Sequence, residues 1–254
     1  MYDEDDISVL EAELENDPLD QLGAEEAANT DVLIDPEEML RLLKSPVNQQ
    51  RMVAARAFCE LEDHRAIPDL ITLLSDVCPL VRVSAAYALG RNSSPDAVEP
   101  LIHQLQYDWN GYVRKGAAWA LGNCRDRRTL NPLIDALRTD ISAVRLWAAS
   151  ALAQMAHVGY DEAIAAMPAL IEGLRRDPVA AVRSNCAWTV GQLCRELPSN
   201  VVYGTAIDAL LEAFAEDDDL GVREDAKVAM LQVGDTRGLQ IIEEIEELEQ
   251  EDAL

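Results

Sequence analysis

The chain has 254 residues, 27% charged and only 5% aromatic, with a formal net charge of −26. That acidity excludes the basic footprint a nucleic-acid ligand requires. No apolar run approaches the roughly 18 residues of a membrane span, and no basic-then-apolar leader opens the chain, so a cytoplasmic protein is expected.

Charge divides the sequence into three parts. Residues 1–35 hold 13 acids and no Lys or Arg. With few large apolar side chains, they are expected to form a disordered acidic tail. Within it, Ile7 to Leu14 mixes apolar and acidic residues. That stretch suits a short helix that docks on a partner or folds back onto the rest of the chain. Residues 36–238 carry the pattern described next. Residues 239–254 are expected to form an acidic capping helix and tail, with Asp235 placed to start the helix and Leu239, Ile242 and Ile245 facing the last repeat.

A string of the form Val-Arg-x-x-Ala-Ala recurs through the middle part, most clearly at Val81–Ala86, Val113–Ala118 and Val144–Ala149. Its arginines, Arg51, Arg82, Arg114, Arg145, Arg183 and Arg223, are spaced 31, 32, 31, 38 and 40 residues apart. A period in this range marks an array of stacked two-helix units, each buried only against its neighbours. The first helix of a unit has paired aliphatics after a proline, as at Pro36, Pro68, Pro100, Pro132 and Pro168. A proline fits the first helical turn, where its missing N–H has no partner to lose. Asp63, Asp96 and Asp126 stand where the caps of first helices fall. The second helix is expected to start at the arginine. Counted from it, offsets 3, 4 and 7 are small or aliphatic core positions. The fold class expected is all-α, a right-handed α-solenoid of about six helix pairs.

Five of the arginines follow an aspartate by five or six residues: Asp76 before Arg82, Asp108 before Arg114, Asp140 before Arg145, Asp177 before Arg183, and Asp217 before Arg223. Ser45 takes that place before Arg51. One such pair resembles a catalytic constellation, but repetition through the array marks a structural ladder. Arg114→Ala is therefore expected to lower stability without a specific functional defect.

Together, the paired aliphatics, the Asp and the Val-Arg-x-x-Ala-Ala-x-Ala-Leu-Gly string resemble HEAT-like repeats, in the variant found in phycobilisome bilin-lyase subunits. The stretches Asp108–Gly116 and Arg183–Trp188 are also similar to cyanobacterial HEAT-repeat proteins that accompany the A-type iron–sulfur carrier. The resemblance implies a protein-binding scaffold without catalysis, with such a carrier or a related assembly protein as partner. The alternative it implies is one subunit of a heterodimeric bilin lyase, which attaches phycocyanobilin to phycobiliproteins.

In HEAT-like solenoids the second helices line a concave groove. Offsets 2, 5 and 9 lie away from the core stripe, and the groove residues expected there are Tyr87, Arg91, Trp119, Asn123, Trp147, Gln154, Trp188 and Gln192. Large rings flanked by amides suit a protein surface. The bland alternative is that the rings cover neighbouring helices. Trp109, in a turn, suits either a second contact point or packing beneath a neighbouring turn. No Gly-rich phosphate loop, nucleophile elbow, CxxC or HExxH is present, so neither a catalytic residue nor a metal set of the chain's own is expected. Cys59, Cys124, Cys186 and Cys194 sit at packing offsets. Cys78 lies in a turn, the one thiol placed to contribute to an iron–sulfur cluster shared with a partner.

Overall fold

The computed structural model describes residues 35–197 and 200–252, with side chains to 245. The expected tail 1–35 therefore lies outside the described residues, apart from Asp35. Among the described residues every regular element is helical. The first three pairs are α1 (Pro36–Leu42) with α2 (Asn48–Ala57), α3 (Ile67–Leu73) with α4 (Pro79–Arg91), and α5 (Pro95–Tyr107) with α6 (Gly111–Cys124). There follow α7 (Leu130–Thr139) with α8 (Ser142–Leu152), the short α9 (Met155–Val158), α10 (Tyr160–Arg176) with α11 (Ala180–Glu196), and α12 (Val201–Glu216) with α13 (Leu220–Val233). The last helix is α14 (Thr236–Asp252). Six pairs and a terminal helix match the repeat reading. The 38-residue spacing from Arg145 to Arg183 comes from the inserted α9 and the length of α10.

The chain divides into two compact units, one containing residues up to Cys124 with Ile141–Val144, the other Arg125–Asp140 with the residues from Arg145 onward. In the first unit, α2 packs on α4 and α4 on α6, and each first helix packs on its own second helix. In the second, α11 packs on α13, α10 on α11, and α12 on α13.

Small residues set the spacing of these contacts. Ala54, Ala55, Ala85, Ala86, Ala117, Ala118, Ala148, Ala149 and Ala187 are fully buried, with Phe58, Leu89, Leu121, Leu152 and Val190 at offset 7. Where helices come closest, even alanine does not fit. A Cβ on Gly90 would collide with the Trp119 ring and lie 2.9 Å from the Ala120 Cα. On Gly191 it would lie 2.8 Å from the Ala229 Cβ.

Local boundaries differ from expectation in several places. The second helices begin about a turn before the arginine, at Asn48, Pro79, Gly111, Ser142, Ala180 and Leu220. Asp63 and Asp126 do accept cap bonds, from the N–H groups of Arg65 and Arg128, but these start 3-10 turns ahead of the helices. Asp96 is not a cap: Ser94 accepts from the Asp96 N–H, and Asp96 falls in the first turn. Pro100 and Pro168 lie inside α5 and α10 rather than in their first turns. An interior proline costs a backbone hydrogen bond. The extra upstream turns offset this by burying Ala97 and Val98 in α5 and Ala163, Ala166 and Met167 in α10. Asp235 does cap the last helix, accepting from the Gly238 N–H at 3.0 Å, so α14 starts at Thr236 rather than at 239. Of its three expected contacts, Ile242 is buried and Leu239 is exposed.

Candidate functional site

The Asp–Arg ladder is shifted by one repeat from its sequence spacing. Arg82 Nε and Nη2 donate to the carboxylate of Asp108, in the next repeat, at 2.6 and 2.9 Å. Arg145 pairs in the same way with Asp177 and Arg183 with Asp217, while Arg51 donates to Asp76 through Nε alone. To the aspartate of its own repeat each arginine sends a different bond, from Nη1 to the backbone carbonyl: Arg82 to Asp76, Arg114 to Asp108, Arg145 to Asp140 and Arg183 to Asp177. Arg223 reaches the Asp217 carbonyl through Nε. The expected pairing of Arg114 with the Asp108 carboxylate is thus corrected: that carboxylate belongs to Arg82. The helical rise places the own-repeat aspartate behind the arginine, where only its carbonyl is in reach. The carbonyl role needs no acidic side chain, which is why Ser45 suffices in the first repeat, where Arg51 Nη1 donates to the Ser45 carbonyl.

Four of the ladder carboxylates also shape their own turns. Asp76, Asp108, Asp177 and Asp217 accept from the N–H two residues on, at 2.8–3.0 Å. Burial alone would push the Asp76 and Asp217 carboxyls up. Hydrogen bonds from Arg51 and Arg183 and from the Cys78 and Asp219 N–H groups outweigh it and hold both below the usual range. A depressed carboxylate stabilises the fold above its unfolded pKa, about 3.9. That contribution is lost as pH falls through the lower folded value. Urea unfolding is therefore expected to show stability falling steeply below about pH 4. A profile flat down to pH 2 would mean the ladder carboxylates contribute nothing.

All the expected groove residues but one lie on the second helices of the two units; Gln154 falls in the turn between α8 and α9, because α8 ends at Leu152. In the first, the Tyr87 and Trp119 rings are 5.4 Å apart and tilted by 48°, Trp119 over Gly90 and Tyr87 beside Gly116. Both rings are partly buried, as is Asn123, while Arg91 is exposed. For this pair the bland reading holds in large part, because each ring fills the space above a glycine of the neighbouring helix. Ser84 and Gly116, also at groove offsets, are buried. In the second unit Trp188 is 43% exposed, and Trp147 is partly buried. Polar side chains bridge adjacent helices beside them, Ser150 donating to Asn185 at 2.9 Å and Gln192 to Gln232 at 3.3 Å, and Arg125 donates to Gln154 between two turns at 3.1 Å. Trp109 takes a position between its two expected ones. The Arg82 guanidinium lies 5.6 Å from its ring centre, yet the residue is 75% exposed.

Comparison with known proteins agrees with this geometry. Residues 36–115 and 98–168 match the family of HEAT repeats, and 166–197 match the HEAT repeat. Together these span 36–197, more than half of the chain. The chain belongs to the HEAT-repeat family. Similar solved structures include an engineered protein (24% identity, 79% of this chain and 99% of that one, TM-score 0.59). Another is a designed armadillo repeat protein in complex with the peptide (KR)4 (19% identity, 78% and 98%, TM-score 0.59). A third is the complex of CpcE and CpcF of phycocyanin lyase from Nostoc sp. PCC7120 (23% identity, 80% and 78%, TM-score 0.57). At these identities the likeness is one of fold: an all-α HEAT or armadillo solenoid. Among the described residues no helix is long and apolar enough to cross a membrane.

The cysteines of this HEAT array differ in exposure. Cys186 and Cys194 are buried, and Cys59, Cys78 and Cys124 partly so, so Cys59 and Cys124 are less enclosed than their packing offsets imply. Burial pushes the Cys186 thiol far up and the Cys194 thiol to about 12, and it raises Cys59 to about 11. Cys78 heads α4, in the turn between helices. Alkylation followed by peptide mapping is expected to label Cys78 first and Cys186 last, because reactivity follows exposure and thiolate fraction. Early labelling of Cys186 would place that helix face in solvent.

Asn92 is a buried polar residue with no counterpart in the repeat pattern. Its buried amide donates to the Phe58, Leu61 and Ala88 carbonyls at 2.8, 3.1 and 3.1 Å, and its oxygen accepts from the Asp63 N–H at 2.9 Å. It occupies offset 10, where the other repeats carry Leu61, Cys124, Met155, Leu193 and Val233. With no periodic counterpart, nothing in the repeat pattern singles it out.

Proposed function

We propose that this HEAT-repeat protein is a non-catalytic scaffold that holds a partner protein along the faces of its second helices. The observation that carries this reading is Trp188. It stands at the same offset in α11 as Trp119 in α6 and Tyr87 in α4, but it is 43% exposed and flanked by amides. An exposed tryptophan is the residue type that anchors protein interfaces. The resemblance of Asp108–Gly116 and Arg183–Trp188 to companions of the A-type iron–sulfur carrier makes such a carrier the first partner to test. A cluster shared through Cys78 belongs to that same reading.

The test is affinity. The partner is captured with the tagged full chain and identified, and binding is then measured for the wild type, Trp188→Ala and the first-helix control Glu172→Ala. Truncating an aromatic anchor costs ~2 kcal/mol, so Kd is expected to rise about thirtyfold for Trp188→Ala alone, with the helical signal intact. Unchanged affinity removes this face from the working surface. The bilin-lyase reading is supported by the fold shared with the CpcE–CpcF complex. A shift of the visible band when the protein is mixed with phycocyanobilin tests it directly.

A further inference from the structure

Two arginines set the second-helix face of the first unit apart. In this unit Arg41, Lys44, Arg51, Arg65 and Arg82 each hold a carboxylate. Arg56 and Arg91 meet none among the described residues. Both act on Cys59, whose thiol each pulls down against the larger upward push of burial, and Arg91 Nε donates to the Cys59 carbonyl at 3.1 Å. Arg56 occupies offset 5 of α2, and the same offset carries Tyr87 in α4 and Trp119 in α6. Offset 9 carries Arg91 in α4 and Asn123 in α6, and Glu60 in the turn that follows α2. The result is a strip of guanidinium groups and rings with one carboxylate, Glu60, at its edge. In a chain of net charge −26, guanidinium groups do not lack carboxylates for want of acids. The strip is suited to an acidic ligand with apolar side chains.

The chain contains such a segment. Ile7, Leu10 and Leu14 are spaced by three and four residues, the interval that puts side chains on one face of a helix. Asp3, Glu4, Asp5 and Asp6 precede them, and Glu11, Glu13 and Glu15 lie between and after them. We propose that residues 3–15 dock on this strip in cis, with Ile7, Leu10 and Leu14 against the Tyr87 and Trp119 rings and the acids against Arg56 and Arg91. The 21 residues from Leu14 to Asp35 reach up to about 70 Å when extended, enough to cross a unit of this size. A tether of that length gives a millimolar effective concentration, so weak contacts suffice. The segment is then a built-in competitor that an incoming partner must displace. In this respect the inference rests on the proposed function, but its test does not require the partner.

Amide exchange of the full chain tests it. Residues 7–15 are expected to exchange about tenfold more slowly in the wild type than in Arg56→Glu/Arg91→Glu. The second variant, Ile7→Asp/Leu10→Asp, leaves the helices untouched and is expected to lose the same protection. Salt at 1 M, where the Debye length is about 3 Å, is expected to weaken it. Protection absent from the wild type overturns the proposal, as does protection that survives both variants. Protection that grows with protein concentration also overturns it, by assigning the strip to a second copy. The affinity measurement with Trp188→Ala, in the other unit, reads the proposed function separately, so either reading can fail alone.

Discussion

Arg82→Ala is expected to destabilise the protein by about 3–5 kcal/mol, the range for removing one partner of a buried ion pair. The Arg82 and Asp108 side chains are only 8% and 3% exposed, so the substitution leaves a carboxylate enclosed without its counter-charge. It also removes the bond from Nη1 to the Asp76 carbonyl and the cation over the Trp109 ring. The control is Arg138→Ala, whose pair with Glu172 is about half exposed on both sides and is expected to change stability by less than about 1 kcal/mol. Urea unfolding of the two variants measures the difference. Equal small effects would mean that water reaches the Asp108 carboxylate and that the ladder is ornamental. Asp108→Asn separates charge from geometry, because it retains an acceptor for the Asn110 N–H while removing the ion pair.

Asn92→Ala is expected to cost about 3 kcal/mol. Its amide satisfies carbonyls at the end of α2, after α2 and in α4, and is 3% exposed. Each buried group left unmade costs roughly 1–3 kcal/mol. The Ala88 carbonyl keeps its bond from the Asn92 backbone N–H, so the loss falls mainly on the Phe58 and Leu61 carbonyls and the Asp63 N–H. Asn92→Asp is expected to be at least as damaging, since it keeps an acceptor for Asp63 but turns a carboxylate toward three carbonyls. Amide exchange should show the opening concentrated at Asp63 and the residues around it. Global stability within 0.5 kcal/mol of the wild type, the ordinary range for surface positions, would show that water replaces the amide.

The groove residues show how far a periodic pattern reaches. Tyr87, Trp119 and Trp188 share offset 5 and Trp147 has offset 2 on the same side, and these positions alone place them on second helices away from the alanine stripe. They do not distinguish a ring resting on a glycine from a ring facing solvent. That depends on what the neighbouring helix offers: Gly90 lies beneath Trp119, and Trp188 remains 43% exposed. The two rings look equivalent in sequence and differ in surroundings.

Repeat number, helix pairing, the Ala-rich contact stripe and the all-α class were determined by the sequence alone. These features arise from interactions that recur at a fixed spacing, and a stacked array buries each unit against a near copy of itself. Tertiary structure alone decided the partners of the ladder. An Asp six residues before an Arg reads as a pair along the chain, but the extended guanidinium reaches forward to the carboxylate of the next repeat and bonds only the carbonyl of its own. It also decided the role of Asn92, which satisfies carbonyls 31 and 34 residues away, and which two arginines of the first unit meet no carboxylate among the described residues. Spacing along the chain defines which residues share a face. Only the packed neighbours define which charges and amides on that face are already satisfied.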